Sequence, residues 1–163
     1  MISGYIFVES LLVVALIISA SAFSSTMLTT FKELEQNNKM NLNQMMRRLQ
    51  TRLEPVFSYV SDNLTDVYLW IKNVGVETLS YAEIEMSEIF ITGRNLLVHL
   101  SRGKSPPSWN YEIVRDVFPD QGLSRGETLK ITVKLVTALQ PGEYLVRFVT
   151  PYSTVEHVFS VGG

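Results

Sequence analysis

Few side chains in this sequence have the types and spacing that enzyme chemistry requires. The two histidines, His99 and His157, stand far apart, each within a strand-like apolar run, where hydrogen-bonded structural histidines are commoner than metal ligands. Glu83, Glu85 and Glu88 form an acidic cluster, but no neighbouring group completes a paired-carboxylate site, so we expect a solvated strand edge. The chain has no cysteine, and it has neither a phosphate-binding glycine loop nor a nucleophile elbow. The sequence therefore predicts a protein without enzymatic activity, cofactor or metal.

The elements that hold these residues follow from length, composition and hydropathy. The chain has 163 residues, of which 46% are apolar and 18% are charged, with a net charge of −2. This length suits one globular domain with an appendage, and the balanced charge provides no basic face for a nucleic acid. A mean hydropathy of +0.14 is high for a soluble domain, and the apolar residues concentrate near the N-terminus.

That N-terminal apolar run has the length of a membrane-spanning helix. Residues 10–31 are 22 positions without a charge. At ~1.5 Å per residue they cover ~33 Å, close to the ~30 Å hydrocarbon core of a bilayer. No basic segment precedes the run and it is long for a signal peptide, so an uncleaved anchor is favoured. We predict a transmembrane helix over residues 1–31, with membrane lipid as its partner.

A single carboxylate, Glu9, stands at the edge of this run. The segment from Gly4 to Glu9 resembles the start of type IV pilin-type subunits, in which a glycine precedes the mature N-terminus and a glutamate follows five residues later. The resemblance implies that Glu9 packs within the membrane against the terminal amine of a neighbouring subunit. The basic residues expected before Gly4 are missing, and a carboxylate that only snorkels to the membrane surface is the alternative.

Charge and a sequon bear on which side of the membrane the C-terminal part lies. Lys32 and Lys39 follow the span and no basic residue precedes it, which by the positive-inside rule places the C-terminal part in the cytoplasm. Asn63 begins an N-glycosylation sequon, which has meaning only outside the cell. The residues alone therefore leave the orientation open.

A second helical segment follows the span. Five apolar residues recur at helical spacing and form one stripe, which predicts a stalk over residues 32–54. They are Leu42, Met45, Met46, Leu49 and Leu53. Pro55 disfavours helical geometry at the residue before it and so ends the stalk. The stripe packs either on the chain's own domain or on the same stripe of a neighbour.

Beyond Pro55 the hydrophobic period changes from helical to strand-like. Eight short runs have the alternation or the apolar content of strands, and turn-forming residues separate them. The runs are 56–60, 67–72, 84–91, 96–100, 109–114, 129–135, 144–149 and 155–161. With no convincing helix between them, they predict an antiparallel, immunoglobulin-like β-sandwich of seven or eight strands over residues 55–163. The predicted fold class is mainly β with an N-terminal α-helix.

Two of these runs are apolar on both faces and are candidates for contacts between subunits. They contain Ile89, Phe90, Leu96 and Leu97. Such a strand is either central in a covered sheet, which is the commoner case, or it carries an interface. Phe118, which precedes a proline in a polar loop, is a further candidate on the same reasoning. We take these five residues as the candidate surface of a homo-oligomer.

Four stretches spread along the chain carry a family resemblance. They are VESLL at 8–12, VYLWIKNVG at 67–75, IFITG at 89–93 and PGEY at 141–144. Together with the anchor, the stalk and the cysteine-free sandwich, they resemble the archaellum accessory proteins FlaG and FlaF, membrane-anchored relatives of archaellins and type IV pilin subunits. A glutamate just before the apolar run resembles FlaG more than FlaF.

The resemblance implies a structural part of the archaellum motor, a stator, without enzymatic activity. It places a single-pass chain in the cytoplasmic membrane, with the sandwich in the archaeal pseudo-periplasm beneath the surface layer. The implied partners are further copies of the chain, the sister accessory protein and a surface-layer protein. Two alternatives remain open: a pilin or archaellin filament subunit cleaved at Gly4, and a membrane-tethered sandwich that binds a ligand.

Overall fold

The computed structural model describes residues 2–114 and 122–162, with side chains from Phe7 onward. It divides into two compact units, Met1–Gln44 and Met45–Gly163. Two helices and ten strands follow one another in the described chain. They are α1 (Ile2–Gln50), β1 (Leu53–Val60), β2 (Asp66–Asn73), β3 (Leu79–Ser80), α2 (Tyr81–Glu85), β4 (Glu88–Gly93), β5 (Leu96–Arg102), β6 (Ser108–Val114), β7 (Gly122–Leu123), β8 (Thr128–Lys134), β9 (Gly142–Val149) and β10 (Thr154–Val161).

Helix α1 is continuous from the apolar run through the stalk. Its segment Phe7–Gln50 contains a stretch that is long and apolar enough to cross a membrane. Thr26, Thr29 and Thr30 each donate a hydroxyl hydrogen bond of 3.0 Å to a carbonyl oxygen four residues earlier. These bonds satisfy the hydroxyl groups within the helix itself. The helix has no break at residue 31, so the division between span and stalk stays a prediction.

The helix ends at Gln50, earlier than Pro55 requires. Pro55 lies instead within β1. The carbonyl oxygens of Gln50 and Arg52 accept backbone hydrogen bonds from residues 74–77, at 2.9–3.3 Å. The chain leaves the helix here because these carbonyls have partners in the loop that follows β2, a contact that no local sequence pattern reveals.

The predicted sandwich is confirmed. Eight strands follow the order β1-β2-β8-β6-β5-β4-β9-β10. Strands β1, β2, β8 and β6 form one antiparallel layer, and β5, β4, β9 and β10 form the other. The layers join at one side through two parallel residue pairs of β5 and β6, where the chain crosses between layers instead of turning back in a hairpin. The sheet is therefore mixed rather than wholly antiparallel.

One predicted strand is partly a helix. The run 84–91 was expected to be extended, whereas residues 81–85 form α2 and β4 begins only at Glu88. The Ser80 hydroxyl accepts a hydrogen bond from the Glu83 backbone N–H at 3.3 Å, and the Glu83 carboxylate accepts one from the Ser80 N–H at 2.9 Å. This capping box is written in the sequence as Ser80-Tyr-Ala-Glu83 and marks a helix start.

The core lies between the two layers and takes every second residue of the central strands. Val67, Leu69 and Ile71 of β2 are buried while their neighbours on the strand are exposed or half-buried. Trp109 of β6 meets Phe148 of β9 edge-on, with ring centroids 6.0 Å apart. Apolar burial of this kind supplies most of the stability of a sandwich, and it leaves the outer faces of both layers available for other contacts.

Candidate interaction surface

The structure separates the five predicted contact residues. Ile89 is fully buried between the layers, so we remove it from the candidate surface: its side chain has no access to a neighbour. Leu96 is half-buried and packs against the core. Phe90 and Leu97 point to the outer face of the layer formed by β5, β4, β9 and β10, and Leu97 is 76% exposed. Phe118 lies outside the described residues.

Strand register brings Leu97 into a row with apolar residues from distant parts of the chain. Leu97 pairs with Thr92, Thr92 with Leu145, and Leu145 with Val158. Val158 is 60% exposed and Leu145 is half-buried. We call Phe90, Leu97, Leu145 and Val158 the outer patch. Thr92 separates Leu97 from Leu145 in this row, so three of its four residues are apolar, and apolar residues gathered on an exposed sheet face are candidates for a protein contact.

Leu145 and Val158 were missed by the sequence analysis. Each stands at a position of its strand where the alternation calls for a polar residue. An apolar residue at an outward-facing position of a strand is the sequence signal that could have identified both residues. Only the register shows that the two side chains share a row with Leu97.

Aromatic and charged side chains border the outer patch. Phe90 stacks on His99 with ring centroids 4.8 Å apart. Next to Phe90 on the neighbouring strand, Arg147 pairs with Glu156 at 2.6 Å. An apolar centre with a polar rim is the usual composition of a protein–protein interface.

A second group of residues holds the last turn of α1 to the sheet. The buried Asn73 donates two side-chain hydrogen bonds, to the carbonyl oxygens of Glu77 at 2.8 Å and Leu123 at 2.9 Å. Its side-chain oxygen accepts the Gly75 N–H at 2.9 Å. A Cβ atom added at Gly75 would lie 2.5 Å from the Arg52 nitrogen. The Lys-Asn-Val-Gly stretch therefore builds a close backbone contact that only glycine permits.

Arg47, in the last turn of α1, adds an ionic contact to the same place. Its guanidinium lies 2.9 Å from the Glu83 carboxylate and 3.1 Å from that of Glu77, and it donates a 2.9 Å hydrogen bond to the Tyr152 hydroxyl. We call these contacts of residues 47–52 with the sandwich domain the helix junction. Glu83 was expected to be solvated but is buried here, whereas Glu85 and Glu88 are exposed.

The charges at the helix junction stabilise one another. Burial raises the pKa of Glu83, but hydrogen bonds from Ser80 and the nearby Arg47 outweigh it and hold that pKa below its ordinary value. Burial likewise lowers the pKa of Arg47, and Glu83, Tyr152 and Glu77 outweigh it and raise that pKa. Both groups are therefore charged at neutral pH, as a structural ion pair requires.

A row of aromatic rings covers the outer face of the opposite layer. Phe57 lies 5.4 Å from Trp70, and Tyr59 lies 6.0 Å from Tyr68, measured between ring centroids. The Lys130 ammonium sits 5.6 Å from the Tyr68 ring centre and also binds a neighbouring carboxylate. These rings pack on one another and so differ from the outer patch, where Leu97 and Val158 stand open.

The remaining predicted sites show no assembled chemistry. Glu9 is exposed on α1, and its role in the membrane stays a prediction. Asn63 is exposed in the turn between β1 and β2, where its side-chain oxygen accepts hydrogen bonds from the Thr65 N–H at 3.1 Å and from the Ser61 hydroxyl. Within residues 2–114 and 122–162, no three His, Asp or Glu side chains come together as a metal site.

Comparison with known proteins agrees with this architecture. A model of the family described as archaeal-type flagellin matches residues 7–160. An uncharacterized protein of Archaeoglobus fulgidus is 28% identical over 144 residues, which are 86% of this chain and 87% of the relative.

Two solved structures share the fold. The archaellum periplasmic stator protein FlaG from Sulfolobus acidocaldarius superimposes with a TM-score of 0.56 at 24% identity, over 67% of this chain and 99% of FlaG. A chain of the FlaF–FlaG complex from the same organism gives 0.55 at 24% identity, over 67% of this chain and 89% of that one.

These comparisons confirm the resemblance predicted from the sequence, since the chain has the FlaG fold and matches the archaeal-type flagellin family over almost its whole length. The family consists of structural components, which confirms the prediction that the protein is not an enzyme. The chain belongs to the archaeal-type flagellin family.

Proposed function

We propose that this protein is a membrane-anchored structural component of the archaellum, a stator-type subunit whose β-sandwich holds other subunits outside the cytoplasmic membrane. The proposal depends on one combination of features in this chain. A helix long and apolar enough to span a bilayer precedes a FlaG-type sandwich, and the sandwich carries exposed apolar residues in its outer patch. The orientation rests on the likeness to a periplasmic protein. The positive-inside rule instead favours a cytoplasmic sandwich, and thiol labelling on intact cells distinguishes the two orientations.

The mechanism is anchorage. About 20 apolar residues in a bilayer hold a chain effectively irreversibly, so no covalent attachment is required. The helix junction then connects the last turn of α1 to the sandwich through Gly75, Asn73 and Arg47. The outer patch supplies the lateral contact between copies of the chain, because burying Leu97 and Val158 removes apolar surface from water.

Two further partners belong to this proposal. FlaG from Sulfolobus acidocaldarius forms a complex with FlaF, and we infer a corresponding sister subunit for this chain. A surface-layer protein is the third partner, which would fix the assembly to the cell envelope. Co-purification of the tagged full chain from native membranes, followed by mass spectrometry, identifies both, and recovery of neither would contradict this part of the proposal.

Anchorage and orientation are tested with the full chain in its native cells. Since the chain has no cysteine, Lys104→Cys, in the exposed β5–β6 loop, introduces a single thiol on the sandwich. We expect the protein to stay in the membrane pellet after carbonate extraction and the thiol to react with a membrane-impermeant maleimide on intact cells. Release by carbonate would refute anchorage, and labelling only after lysis would refute the extracytoplasmic location.

Self-association is tested by placing a charge in the outer patch. Leu97→Lys or Phe90→Lys in the full chain should lower the mass of the detergent-solubilised oligomer in light scattering, because a lysine cannot be buried there without a partner. Phe57→Lys is the matched control: Phe57 is 56% exposed on the opposite layer, and its replacement should leave the mass unchanged. A monomeric wild-type protein would contradict self-association through this face.

The alternative is a filament subunit polymerised through α1, and the family description itself favours it. Sequencing the N-terminus of the native protein separates the two. A chain that begins at Tyr5, after cleavage at Gly4, supports the filament subunit and contradicts the stator, whereas an uncleaved chain excludes polymerisation after that cleavage.

A further inference from the structure

The glycosylation sequon lies in a turn that the proposed function does not use. Asn63, Leu64 and Thr65 stand between β1 and β2. The Leu64 side chain packs against the core, and its carbonyl oxygen accepts a 2.8 Å hydrogen bond from the Leu139 N–H. Asn63, by contrast, is exposed. The turn is therefore fixed to the sandwich, with its asparagine at the surface.

The Asn63 side chain leaves its amide nitrogen available. Its Oδ1 accepts hydrogen bonds from the Thr65 N–H at 3.1 Å and from the Ser61 hydroxyl. Because a backbone N–H can only donate, the amide atom that faces it is the oxygen. Among the residues that the structure describes, Nδ2 has no hydrogen-bond partner. Nδ2 is the atom to which the sugar of an N-linked glycan is joined.

A row of aromatic side chains begins next to this turn, on the outer face of β1 and β2. We call them the aromatic row: Phe57, Tyr59, Tyr68 and Trp70. Tyr59 lies opposite Tyr68, and their rings stack 6.0 Å apart. The hairpin closes two residues further on, where the Ser61 N–H donates to the Asp66 carbonyl at 2.9 Å. At ~3.4 Å per residue, this pair of rings lies only ~7 Å from the turn.

Polar side chains continue the same face on the neighbouring strands. The register places Thr132 beside Tyr68 and Lys130 beside Trp70. The Lys130 ammonium lies 5.6 Å from the Tyr68 ring centre and 2.7 Å from the Glu112 carboxylate. The face therefore combines aromatic rings with hydrogen-bonding groups, and its central cation is neutralised by an ion pair.

A sugar matches this combination better than a protein or a nucleic acid. A pyranose ring has C–H groups that stack on aromatic rings and a rim of hydroxyls that bond to polar side chains. Charged groups are depleted at the centre of a protein interface, whereas Lys130 and Glu112 lie within this face. Nucleic acids that stack on aromatic rings also require a positively charged groove, and Lys130 is already paired.

We propose that Asn63 carries an N-linked oligosaccharide that lies over the aromatic row. This inference rests on the extracytoplasmic location proposed above, because the sequon is used only outside the cytoplasm. The occupant is the chain's own glycan, since the sequon stands at the end of the row. A tethered ligand has an effective concentration on the order of millimolar, so a weak stacking contact is enough to cover the rings.

Attachment requires two co-reactants, a polyisoprenyl-phosphate-linked oligosaccharide and a membrane oligosaccharyltransferase. The Asn63 Nδ2 forms a bond to the anomeric carbon of the first sugar, and the bond from that carbon to the lipid phosphate oxygen breaks. The phosphate keeps the electrons of the broken bond, and a base of the transferase takes the proton from Nδ2.

Two substitutions at Thr65 test the attachment in the full chain purified from its native cells. Thr65→Ala removes the sequon, and Thr65→Ser is the matched control that keeps it. The tryptic peptide 53–72, which contains Asn63, should be heavier than its sequence in wild type and in Thr65→Ser, and should have the sequence mass in Thr65→Ala. From a bacterial host without N-glycosylation, all three peptides should have the sequence mass.

Hydroxyl-radical footprinting of the same proteins tests whether the glycan covers the aromatic row. Tyr59 is 46% exposed, and Tyr81, at 38%, is the matched reference away from the row. Oxidation of Tyr59 should be about twofold lower in Thr65→Ser than in Thr65→Ala, because a stacked sugar shields one face of the ring. Tyr81 should be oxidised equally in both, and the two variants from the bacterial host should not differ at Tyr59.

The outcomes separate this inference from the proposal on which it rests. A wild-type peptide at its sequence mass overturns the inference, and the proposed function stands if the Lys104→Cys thiol is labelled on intact cells. Labelling only after lysis, together with that mass, refutes both. Equal oxidation of Tyr59 in glycosylated Thr65→Ser and in Thr65→Ala would show that the glycan points away from the aromatic row, which refutes the covering.

Discussion

Gly75→Ala should strongly destabilise the sandwich, because Gly75 is the tightest point of the helix junction. The added methyl carbon would lie 2.5 Å from the Arg52 nitrogen and closer still to the Gln50 carbonyl oxygen. Nonbonded heavy atoms at contact stand ~3.5 Å apart or more. The backbone would therefore have to move by about 1 Å, and the obstructing atoms are main-chain atoms that cannot rotate away.

The magnitude follows from the hydrogen bonds at the same point. Residues 74–77 donate four backbone bonds to Arg52 and Gln50, at 2.9, 3.0, 3.0 and 3.3 Å. A displacement of that size would break about two of them, at ~1 kcal/mol each, and would leave a buried carbonyl without a partner at ~1–3 kcal/mol. Replacing a glycine stabilises by ~0.4–1 kcal/mol through the unfolded chain. We expect a net loss of about 2–4.5 kcal/mol in the free energy of unfolding.

Tryptophan fluorescence of the full chain in detergent measures this loss. The only two tryptophans, Trp70 and Trp109, lie in β2 and β6, so their emission reports on the sandwich during denaturant unfolding. Gly103→Ala is the control, because the nearest atom to its added carbon is 4.0 Å away, and it should change stability by less than about 0.5 kcal/mol. If Gly75→Ala unfolds like that control, our account of the helix junction is wrong.

Three other predictions address single side chains. Arg47→Met should lower the free energy of unfolding by about 1–2 kcal/mol in the same assay, because Glu83 loses its cation and the Tyr152 hydroxyl loses a donor, while the one-third exposure of Arg47 limits the effect. An unchanged midpoint would contradict a stabilising ion pair. The pKa of Glu83 is lower in the folded than in the unfolded chain, so its contribution is present above its ordinary pKa of ~4.3 and is lost as the pH falls through the folded-state pKa. The Glu83→Gln variant should therefore have a lower free energy of unfolding than wild type at pH 7. Between pH ~5 and ~3 it should lose less of that free energy than wild type does. Parallel profiles of unfolding free energy against pH would refute this. If Asn63 is glycosylated, the intact protein from its native cells should be heavier than its amino-acid sequence, and Asn63→Gln should remove this difference in mass spectrometry. A wild-type mass equal to the mass of the sequence would show that Asn63 carries no glycan.

Much of the architecture could be predicted from the sequence because its signals are local. A long uncharged run predicts a helix of membrane-spanning length, and alternation predicts strands, since side-chain direction follows directly from helical and extended backbone geometry. The eight main strands and the sandwich follow from these patterns, as does the resemblance to FlaG. The helix α2 was also readable, from Ser80 and Glu83, but the apolar residues after it suggested a longer strand.

The interaction surface could not be read in the same way, because it depends on which strands become neighbours. Ile89 and Leu97 look alike in sequence, yet β4 lies between β5 and β9 and points Ile89 into the core, whereas Leu97 points outward. Leu145 and Val158 join Leu97 only through three strand registers. Likewise, Gly75 and Gln50 meet only because the loop after β2 folds back on the helix end. Periodicity sets the side of a strand on which a residue lies, and tertiary packing alone decides which side is covered and which residues meet there.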